Sequence, residues 1–417
     1  MRDVVVAGAV RTPIGRFGGA LSSLTPAQLG AAAAREALRR AGVAPAQVED
    51  VLFGCARQAG GGPNVARQVA WRAGVPQEVP AATINMACAS SLKALDLAFR
   101  AVRDGDAQVV LAGGVESMSR VPYLLPGARW GLRMGDQPLV DAMYQDGFLC
   151  PLSEMLMGET AERLAETYRI GRDEQDAFAL RSQQRCARAM AEGRFDPEIV
   201  PVSVARVPQR RLSSDAERGS TPREAIELKG EPERGRASSD EHPRPETTLA
   251  SLARLPPVFK PVGGTVTAGN SSGITDGAAA MVVLSAERAA ELGVPRMARL
   301  TGFASAGVDP HVMGIGVVPA VRRLLEKLAL RLEDFDLVEV NEAFAGQVIA
   351  CDRELHFDPE RLNVNGGAIA LGHPIGATGA RLVVTLLHEM ARRRVRRGLA
   401  TLCVSGGMGM AAAFEAA

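Results

Sequence analysis

The chain has 417 residues, 47% of them hydrophobic and only 4% aromatic, which is enough for two or three domains around a large apolar core. Lysine and arginine (48) nearly balance aspartate and glutamate (47), so the charge does not favour nucleic-acid binding. The amino terminus shows no secretory signal, and no run of about 18 apolar residues could cross a membrane. We therefore expect a cytoplasmic α/β protein without membrane or nucleic-acid partners.

The cysteine pattern argues against both disulfide and metal frameworks. Six cysteines show no C-x-x-C spacing, and five histidines form no H-E-x-x-H motif. We therefore predict reduced thiols and no metal site. Four cysteines lie in settings that favour packing alone: Cys55, Cys150, Cys186 and Cys351.

Predicted strands and helices alternate along the first part of the chain. A buried strand at 3–9 is followed by a helix that Thr25 caps and Pro26 begins. The next elements are a strand at 51–55, a helix at 64–73, a strand at 82–85, a helix at 89–103 and a strand at 108–112. This alternation is typical of a mostly parallel sheet with helices on both faces.

The alternation stops at residue 119 and resumes near residue 275. Residues 119–160 are irregular, and 172–191 form a charged helix. The polar tract 206–246 is expected to be a solvated and partly disordered excursion. We therefore predict that 119–274 is an inserted loop domain.

The end of the chain repeats the beginning in its order of elements. Residues 1–118, completed by 275–292, form the predicted amino-terminal half. Residues 293–417 form the predicted carboxyl-terminal half, with strands at 299–304, 337–340, 400–404 and 409–414 and helices at 319–329, 344–354 and 380–390. The repeated order indicates an internal duplication.

Four residues at strand ends or turns are candidates for chemistry. Cys88 precedes the helix at 89–103, where the helix N-terminus would lower its pKa, although a packed thiol is the alternative. Cys403 ends a strand before a glycine pair, and His373 lies in a glycine-rich turn before the helix at 380–390. Asn341 ends a strand, where N-capping of the next helix is the alternative. Open α/β sheets carry their sites at such positions.

Eight long motifs, in order, resemble those of the thiolase family of acyl-CoA acyltransferases. The resemblance covers essentially the whole chain. The motifs are RTPIGRFGGAL at Arg11, NMACASSLKAL at Asn85, AGGVESMS at Ala112, MGETAE at Met157, TVTAGNSSGITDGAA at Thr265, NEAF at Asn341, GGAIALGHPIGATGAR at Gly366 and CVSGGMG at Cys403. So many ordered motifs make the resemblance specific.

The resemblance implies a five-layered αβαβα sandwich of two duplicated halves with an inserted loop domain, assembled as a homotetramer of two dimers. Cys88 matches the nucleophile that takes the acyl group, and His373 matches the base that activates it. Cys403 matches the acid and base for the α-proton. Asn341 matches the residue that positions a water, which with His373 faces the thioester oxygen. The backbone N–H groups of Cys88 and Ser405 match a second oxyanion site.

The implied reaction is the CoA-dependent cleavage of a 3-ketoacyl-CoA to acetyl-CoA and a shortened acyl-CoA, or the reverse Claisen condensation. CoA thioesters are then the substrates, and no cofactor is permanently bound. Five residues match contacts to CoA or to the acyl chain: Ser272, Arg244, Met157, Met313 and Phe344.

The chain departs from the family pattern at three places. Leu156 replaces a histidine of the biosynthetic acetoacetyl-CoA enzymes, which puts a strict acetoacetyl preference in doubt. Ser405 replaces a glycine, which would cost energy at a positive φ. The tract 206–246 is longer than expected. Two segments, DEHPRPETTL and VMGIGVVPAVRRLLEKL, resemble the 3-oxoadipyl-CoA thiolases of aromatic degradation.

Two other classes of function remain as alternatives. A ketoacyl synthase or hydroxymethylglutaryl-CoA synthase shares the implied fold and uses a cysteine nucleophile, but Cys403 in CVSGGMG argues against both. A non-catalytic lipid-binding relative would have lost the nucleophile or the histidine. All four catalytic positions are filled here.

Overall fold

The computed structural model describes residues 2–205 and 234–417. The predicted solvated tract at 206–246 lies outside the described residues as far as 233. The helices are α1 (Pro26–Ala41), α2 (Val65–Ala73), α3 (Ser90–Asp104), α4 (Met157–Tyr168), α5 (Arg172–Ala191), α6 (Leu249–Ala253), α7 (Ala286–Glu291), α8 (Val317–Leu328), α9 (Ala345–Leu355), α10 (Ala368–Leu371) and α11 (Ile375–Arg393). The main strands are β1 (Val4–Arg11), β2 (Asp50–Gly54), β3 (Ala81–Ile84), β4 (Val109–Ser117), β5 (Thr275–Ser285), β6 (Ala298–Gly307), β7 (Leu337–Val340), β8 (Arg397–Val404) and β9 (Met408–Ala416).

These strands form one mixed sheet in the order β7-β8-β9-β6-β1-β5-β4-β2-β3, and the short strand Gly15–Arg16 pairs with β5. The expectation of a mostly parallel sheet is wrong. Among the described strands, β2 is parallel to β3 and β4, and β7 to β8, whereas the central pairs are antiparallel. The physical reason is the connections: a tight turn joins β8 to β9, and β5 returns from the insertion rather than from a crossover helix.

The two halves of the sheet have the same strand order, which confirms the predicted duplication. The first half runs β3-β2-β4-β5-β1. The second runs 362–364, β7, β8, β9, β6, with Leu362 bridging to Val338 of β7 in place of a full edge strand. The halves meet where β1 and β6 pair through only two residue pairs, Val5 with Arg299 and Val6 with Ala298.

Helices cover both faces of each half and give the five-layered sandwich that the sequence predicts. Helices α1 and α2 pack on the outer face of the first half. Helices α3 and α11 share one apolar core with strands of both halves and form the central layer. Helices α8 and α9 pack on the outer face of the second half.

Helix α11 differs from the amphipathic segment predicted at 380–390. It begins earlier, at Ile375, and it is buried along nearly its whole length because it lies in the central layer. Two glycines in its first turns permit close packing. A Cβ at Gly379 would lie 2.6 Å from the backbone nitrogen of Leu92 in α3, and one at Gly376 would lie 2.6 Å from the carbonyl oxygen of Val115 in β4.

The segment after β4 contains α4, α5, α6 and three short ribbons: Tyr123–Leu124 with Val140–Asp141, Leu149–Cys150 with Met155–Leu156, and Val202–Ala205 with Arg234–Ala237. A buried cluster fastens it to β1. The Arg11 guanidinium bonds Glu198 at 2.6 Å and both carboxylate oxygens of Asp240 at 2.7 and 2.9 Å. All three side chains are buried. The domain bounds given above stay a prediction.

Candidate active site

Cys88 lies on the turn between β3 and α3. Helix α3 begins at Ser90, one residue later than predicted, with Ala89 as its N-cap. Ala87 has a φ of 45°, a left-handed conformation that costs a non-glycine residue energy. The Ser90 hydroxyl holds this turn, because it donates to the Ala87 carbonyl at 2.6 Å and accepts from the Met86 N–H at 3.0 Å. The thiol therefore occupies a strained, fixed position.

Burial raises the pKa of the Cys88 thiol, even though the Ser405 N–H, the Arg57 charge and the Cys88 N–H favour the thiolate. The expectation that the helix N-terminus lowers this pKa is wrong, because the loss of hydration outweighs these donors. Cys88 is the one cysteine of the six that is not fully buried. It packs on an apolar cluster that contains Ala56, Met118, Val121, Met143, Phe148 and Ile375. The neutral thiol needs a base before it can act as a nucleophile.

Cys403 lies near the carboxyl end of β8, directly before the turn at 405–407. It is buried, and burial raises its pKa well above the usual range, with repulsion from the thiolate of Cys88 as the next cause. The two thiols therefore share one site. A thiol with so high a pKa holds its proton until a strongly basic carbon or sulfur takes it.

The turn after Cys403 supplies a backbone donor to Cys88. The Ser405 N–H and the N–H of Cys88 itself both favour negative charge on the Cys88 sulfur. The left-handed residues of the turn are Gly406, with a φ of 87°, and Gly407, with a φ of 81°. Ser405 is not among the positive-φ residues, so the condition under which a serine at this position would cost energy is not met.

His373 lies in the loop between α10 and α11 and is buried. Its Nδ1 lies 2.6 Å from the Thr378 hydroxyl oxygen, and its Nε2 has no hydrogen-bond partner within the described residues. Burial lowers the pKa of His373 to about 3, and the charges of Arg381 and Arg57 act in the same direction. The imidazole is therefore neutral at physiological pH and can accept a proton.

Asn341 follows β7, directly beside the strand that carries Cys403, and its backbone N–H donates to the Thr401 carbonyl at 3.0 Å. The capping alternative is wrong, because α9 begins only at Ala345 and Phe344 is its N-cap. The Asn341 side chain is fully buried, and neither its Oδ1 nor its Nδ2 has a partner among the described residues. Such a buried amide needs a partner, and a water or substrate oxygen would supply one.

Two buried carboxylates that the sequence reasoning did not single out hold the His373 loop at its ends. Glu116 accepts from the backbone N–H of Gly376 at 2.8 Å and from those of Ala56 and Arg57 at 3.1 and 3.0 Å. Glu342 accepts from the Ile369 N–H at 3.1 Å, and also from Ser182 and Asn363 side chains. Both lie inside quoted motifs, VESM and NEAF. The available signal was an acidic residue within the apolar strand β4 for Glu116, and an acidic residue two positions after the buried strand β7 for Glu342.

Arg57 and Thr378 were also not singled out. Arg57 is buried, and its Nε has no partner among the described residues. Its guanidinium lies against Gly147, where a Cβ would come within 2.2 Å of Nη2. Gly147 directly precedes Phe148, which belongs to the apolar cluster beside Cys88. For Thr378 the available signal was its place in GATG, five residues after His373.

The predicted substrate contacts fall into two groups. Met157, Met313 and Phe344 belong to one apolar cluster that also contains Cys403. Arg244 is instead exposed at a cleft of about 290 Å³, which is lined among others by His242, Ser251, Leu255 and Ile369. Ser272 is half-buried, and its N–H donates to the Ala343 carbonyl next to Phe344 at 3.0 Å. An apolar cluster and a separate cleft beside Arg244 are thus present.

The described residues contain no cluster of His, Cys, Asp and Glu suited to hold a metal ion. No helix in the described part of the chain is long and apolar enough to cross a membrane. The other four cysteines are buried, as predicted.

The solved structures that this chain resembles define the class of enzyme to which it belongs. The chain resembles the crystal structure of the Bacillus anthracis acetyl-CoA acetyltransferase, with a TM-score of 0.91 and 44% identity over 100% of this chain and 99% of that one. It resembles human mitochondrial 3-ketoacyl-CoA thiolase equally well, with a TM-score of 0.91 and 39% identity over 100% and 99% of the two chains. The fold is thus that of a CoA-ester acyltransferase, and this protein is an acyltransferase enzyme.

The family follows from the sequence matches. The family models "Thiolase, N-terminal domain" and "Thiolase, C-terminal domain" match residues 4–287 and 294–416. The acetyl-CoA acetyltransferase of Pseudomonas aeruginosa is 51% identical over 411 residues, covering 99% of this chain and 98% of the relative. That of Syntrophomonas wolfei is 49% identical over 421 residues, covering 100% and 99%. The chain belongs to the thiolase family.

Proposed function

We propose that the protein cleaves 3-ketoacyl-CoA with CoA to give acetyl-CoA and a shortened acyl-CoA, and also joins acetyl-CoA units in the reverse direction, through an acyl group on Cys88. The observation that carries the proposal is the arrangement around the Cys88 sulfur. The N–H groups of Cys88 and Ser405 both favour negative charge on this sulfur, and the charge on Cys88 acts on the pKa of a second buried thiol, Cys403. These effects support the assignment of a nucleophile, an oxyanion site and a proton donor to one site.

The first half-reaction forms the acyl-enzyme. His373 Nε2 takes the Cys88 proton, and the thiolate attacks the keto carbon of the substrate. The resulting alkoxide collapses and breaks the bond between the α-carbon and the keto carbon. The released acetyl-CoA enolate takes the proton of Cys403, whose raised pKa keeps that proton available until the carbanion forms.

The second half-reaction restores the enzyme. The Cys403 thiolate takes the proton of an incoming CoA thiol, and the CoA sulfur attacks the acyl group on Cys88. The Cys88 thiolate leaves and recovers its proton from His373. The unpaired amide of Asn341 supports the role assigned to it, which is to hold a water that faces the thioester oxygen.

For the CoA thioester, we propose the cleft at Arg244 and the backbone around Ser272 for CoA, and the cluster of Met157, Met313 and Phe344 for the pantetheine and acyl region. A solved relative, human mitochondrial 3-ketoacyl-CoA thiolase, is known in complex with CoA. CoA acts here as a substrate, and we propose no resident cofactor. A cytoplasmic homotetramer remains the proposed assembly.

The two thiols are separated by testing each half-reaction. Cys88→Ser should abolish 3-ketoacyl-CoA thiolysis and the covalent labelling of the protein by radioactive acyl-CoA. Cys403→Ala should block exchange of the acetyl α-proton but still allow acyl transfer from a simple acyl-CoA onto Cys88. Cys351→Ala is the control, because it removes another buried thiol. Full turnover by Cys88→Ser, or equal loss of both half-reactions in Cys403→Ala, would contradict the proposal.

A second candidate substrate is 3-oxoadipyl-CoA, whose acyl chain ends in a carboxylate. The observation that favours it is Arg57. Its buried guanidinium has an unpartnered Nε among the described residues and lies against Gly147, next to the apolar cluster beside Cys88. A buried charge of this kind is stabilised by an anion. The terminal carboxylate of a short dicarboxylic acyl chain would bring an anion into this region.

Kinetics on acetoacetyl-CoA, a long-chain 3-ketoacyl-CoA and 3-oxoadipyl-CoA decide between the candidates. If Arg57 binds the terminal carboxylate, Arg57→Gln should lower kcat/KM for 3-oxoadipyl-CoA about tenfold or more and leave acetoacetyl-CoA nearly unchanged. An equal loss with all three substrates would instead mean that Arg57 acts on the Cys88 thiolate alone.

A further inference from the structure

The Thr378 hydroxyl makes two hydrogen bonds in the first turn of α11. One joins its oxygen to His373 Nδ1 at 2.6 Å. In the other, the hydroxyl donates to the Pro374 carbonyl, four residues earlier, at 3.0 Å. Thr378 is fully buried, and this back-bond is one that threonine commonly makes within a helix.

The proton count at Thr378 favours one tautomer of His373. A hydroxyl has one proton, and a carbonyl oxygen can only accept. With that proton directed to Pro374, the Thr378 oxygen presents a lone pair to Nδ1, which must then carry the imidazole proton. In the opposite tautomer, Nδ1 carries no proton. The single hydroxyl proton could then serve only one contact, and the other acceptor, Pro374 O or Nδ1, would face a lone pair of the Thr378 oxygen at hydrogen-bonding distance. The arrangement that satisfies both contacts leaves Nε2 without a proton.

We propose that Thr378 is a positioning residue that keeps neutral His373 in the Nδ1–H tautomer, so that the bare Nε2 faces the active site as the base. This inference rests on the proposed function for the role of His373, but the tautomer is a property of the free protein. The unpartnered, buried Nε2 is the second observation that supports it, since the nitrogen is left available for the Cys88 proton or for a substrate.

A hydroxyl suits this position better than a carboxylate would. A carboxylate on Nδ1 would stabilise the imidazolium and retain the proton, whereas the second half-reaction requires His373 to return it. The charged groups that act on His373 are Arg57 and Arg381, and both oppose its protonation. Thr378 therefore orients the ring without adding a negative charge.

The packing of α11 keeps Thr378 in place. The neighbouring Gly376 and Gly379 lie against Val115 and Leu92 so closely that neither has room for a Cβ. The threonine side chain is β-branched, which restricts its rotation about χ1. The hydroxyl thus has little freedom to leave the imidazole.

The test compares Thr378→Val, Thr378→Ser and, as a matched control, Thr385→Val, which changes another buried threonine on the same helix. The side-chain ¹⁵N shifts of labelled histidine report the tautomer, and His373→Asn assigns the signal among the five histidines. The rate of Cys88 alkylation by iodoacetamide reports the base. We expect Nδ1–H in the wild type and in Thr378→Ser. Thr378→Val should give a predominantly Nε2–H signal, and alkylation should become slower by about tenfold or more, in proportion to the lost Nδ1–H fraction.

Two results would overturn the inference: an Nε2–H signal for His373 in the wild-type protein, or unchanged tautomer and alkylation in a folded Thr378→Val. If Thr378→Val does not fold, the wild-type signal and the Thr378→Ser rate still decide. The NMR experiment requires no turnover. Failure of the proposed thiolase reaction would therefore leave the tautomer result unaffected, and the two failures can be told apart.

Discussion

At the scale of single residues, the free site is a neutral pair rather than an ion pair. Burial raises the pKa of Cys88 and lowers that of His373 to about 3. Between these two values the thiol keeps its proton and the imidazole carries none. Proton transfer therefore accompanies attack on the substrate instead of preceding it.

This arrangement predicts the pH dependence of Cys88 alkylation. The rate should stay nearly constant over most of the range between these two pKa values, because His373 carries no proton there and its Nε2 can take the thiol proton during attack, and it should rise only near the raised pKa of Cys88, where the thiolate fraction grows. It should show no inflection near 6.5, the ordinary pKa of histidine. Iodoacetamide labelling between pH 5 and 9.5, followed by mass spectrometry of the Cys88 peptide, measures it. Cys88→Ser sets the background. A rise that levels off near pH 6 would mean that the two groups already form an ion pair.

The sequence placed the four candidate residues at strand ends or turns, and the structure finds Cys403 and Asn341 at strand ends, Cys88 in a strand-to-helix turn and His373 in a loop between two helices. The sequence could not show how desolvation and nearby donors balance in setting the pKa values of these residues. A helix start next to Cys88 suggested a lowered pKa, but only the fold shows that desolvation outweighs the nearby donors. Likewise, the partner of His373 Nδ1 depends on a helical turn that begins at Ile375, five residues before the predicted start.

At the scale of elements, α3 and α11 form the central contact of the molecule. Helix α3 begins two residues after Cys88, and α11 begins two residues after His373. Their close approach at Leu92 and Gly379 therefore fixes the relative position of the nucleophile and the base. Any change in this spacing should affect both stability and activity.

We predict that Gly379→Ala lowers the free energy of unfolding by about 1–3 kcal/mol and reduces thiolysis, because the new Cβ would lie 2.6 Å from the backbone of Leu92. Urea denaturation followed by circular dichroism measures the change. Gly171→Ala is the control, since a Cβ added at Gly171 would meet nothing within 4 Å, and alanine freely adopts the φ of −76° found there. Equal stability of the two variants would show that α3 and α11 can separate without cost.

Element positions were predictable because the periodicity is local, and α5 has the predicted bounds. Strand direction was not, since it depends on how distant segments return to the sheet. Strand β5 pairs with β1 and β4 although more than 150 residues of sequence separate it from each. The burial of α11 was missed for the same reason: its second apolar face meets strands from the other half of the chain.

At the scale of the whole molecule, Arg11 joins the inserted segment to the sheet. Its guanidinium neutralises Glu198 and Asp240, and none of the three side chains reaches solvent to any extent. Removing the arginine would leave two buried carboxylates without a counter-charge.

Arg11→Leu should therefore lower the free energy of unfolding by about 3–5 kcal/mol, as measured by urea denaturation. Arg39→Leu provides the comparison and should change stability far less, because the Arg39 side chain is largely exposed and solvent screens its ion pair with Glu36. A loss below about 1 kcal/mol for Arg11→Leu would mean that the insertion is held by other contacts.

The position of β1 in the sheet bears on how the chain is made. Both neighbours of β1, the strands β5 and β6, follow residue 274 in the sequence. During synthesis on the ribosome, the apolar segment VVVAGAV therefore emerges before β5 and β6. It lacks both partner strands until about two thirds of the chain has been translated. During that interval, this apolar strand with its unpaired edges must be kept from associating with other chains. This strand order therefore requires cotranslational protection of the strand, either by a chaperone or by transient local structure.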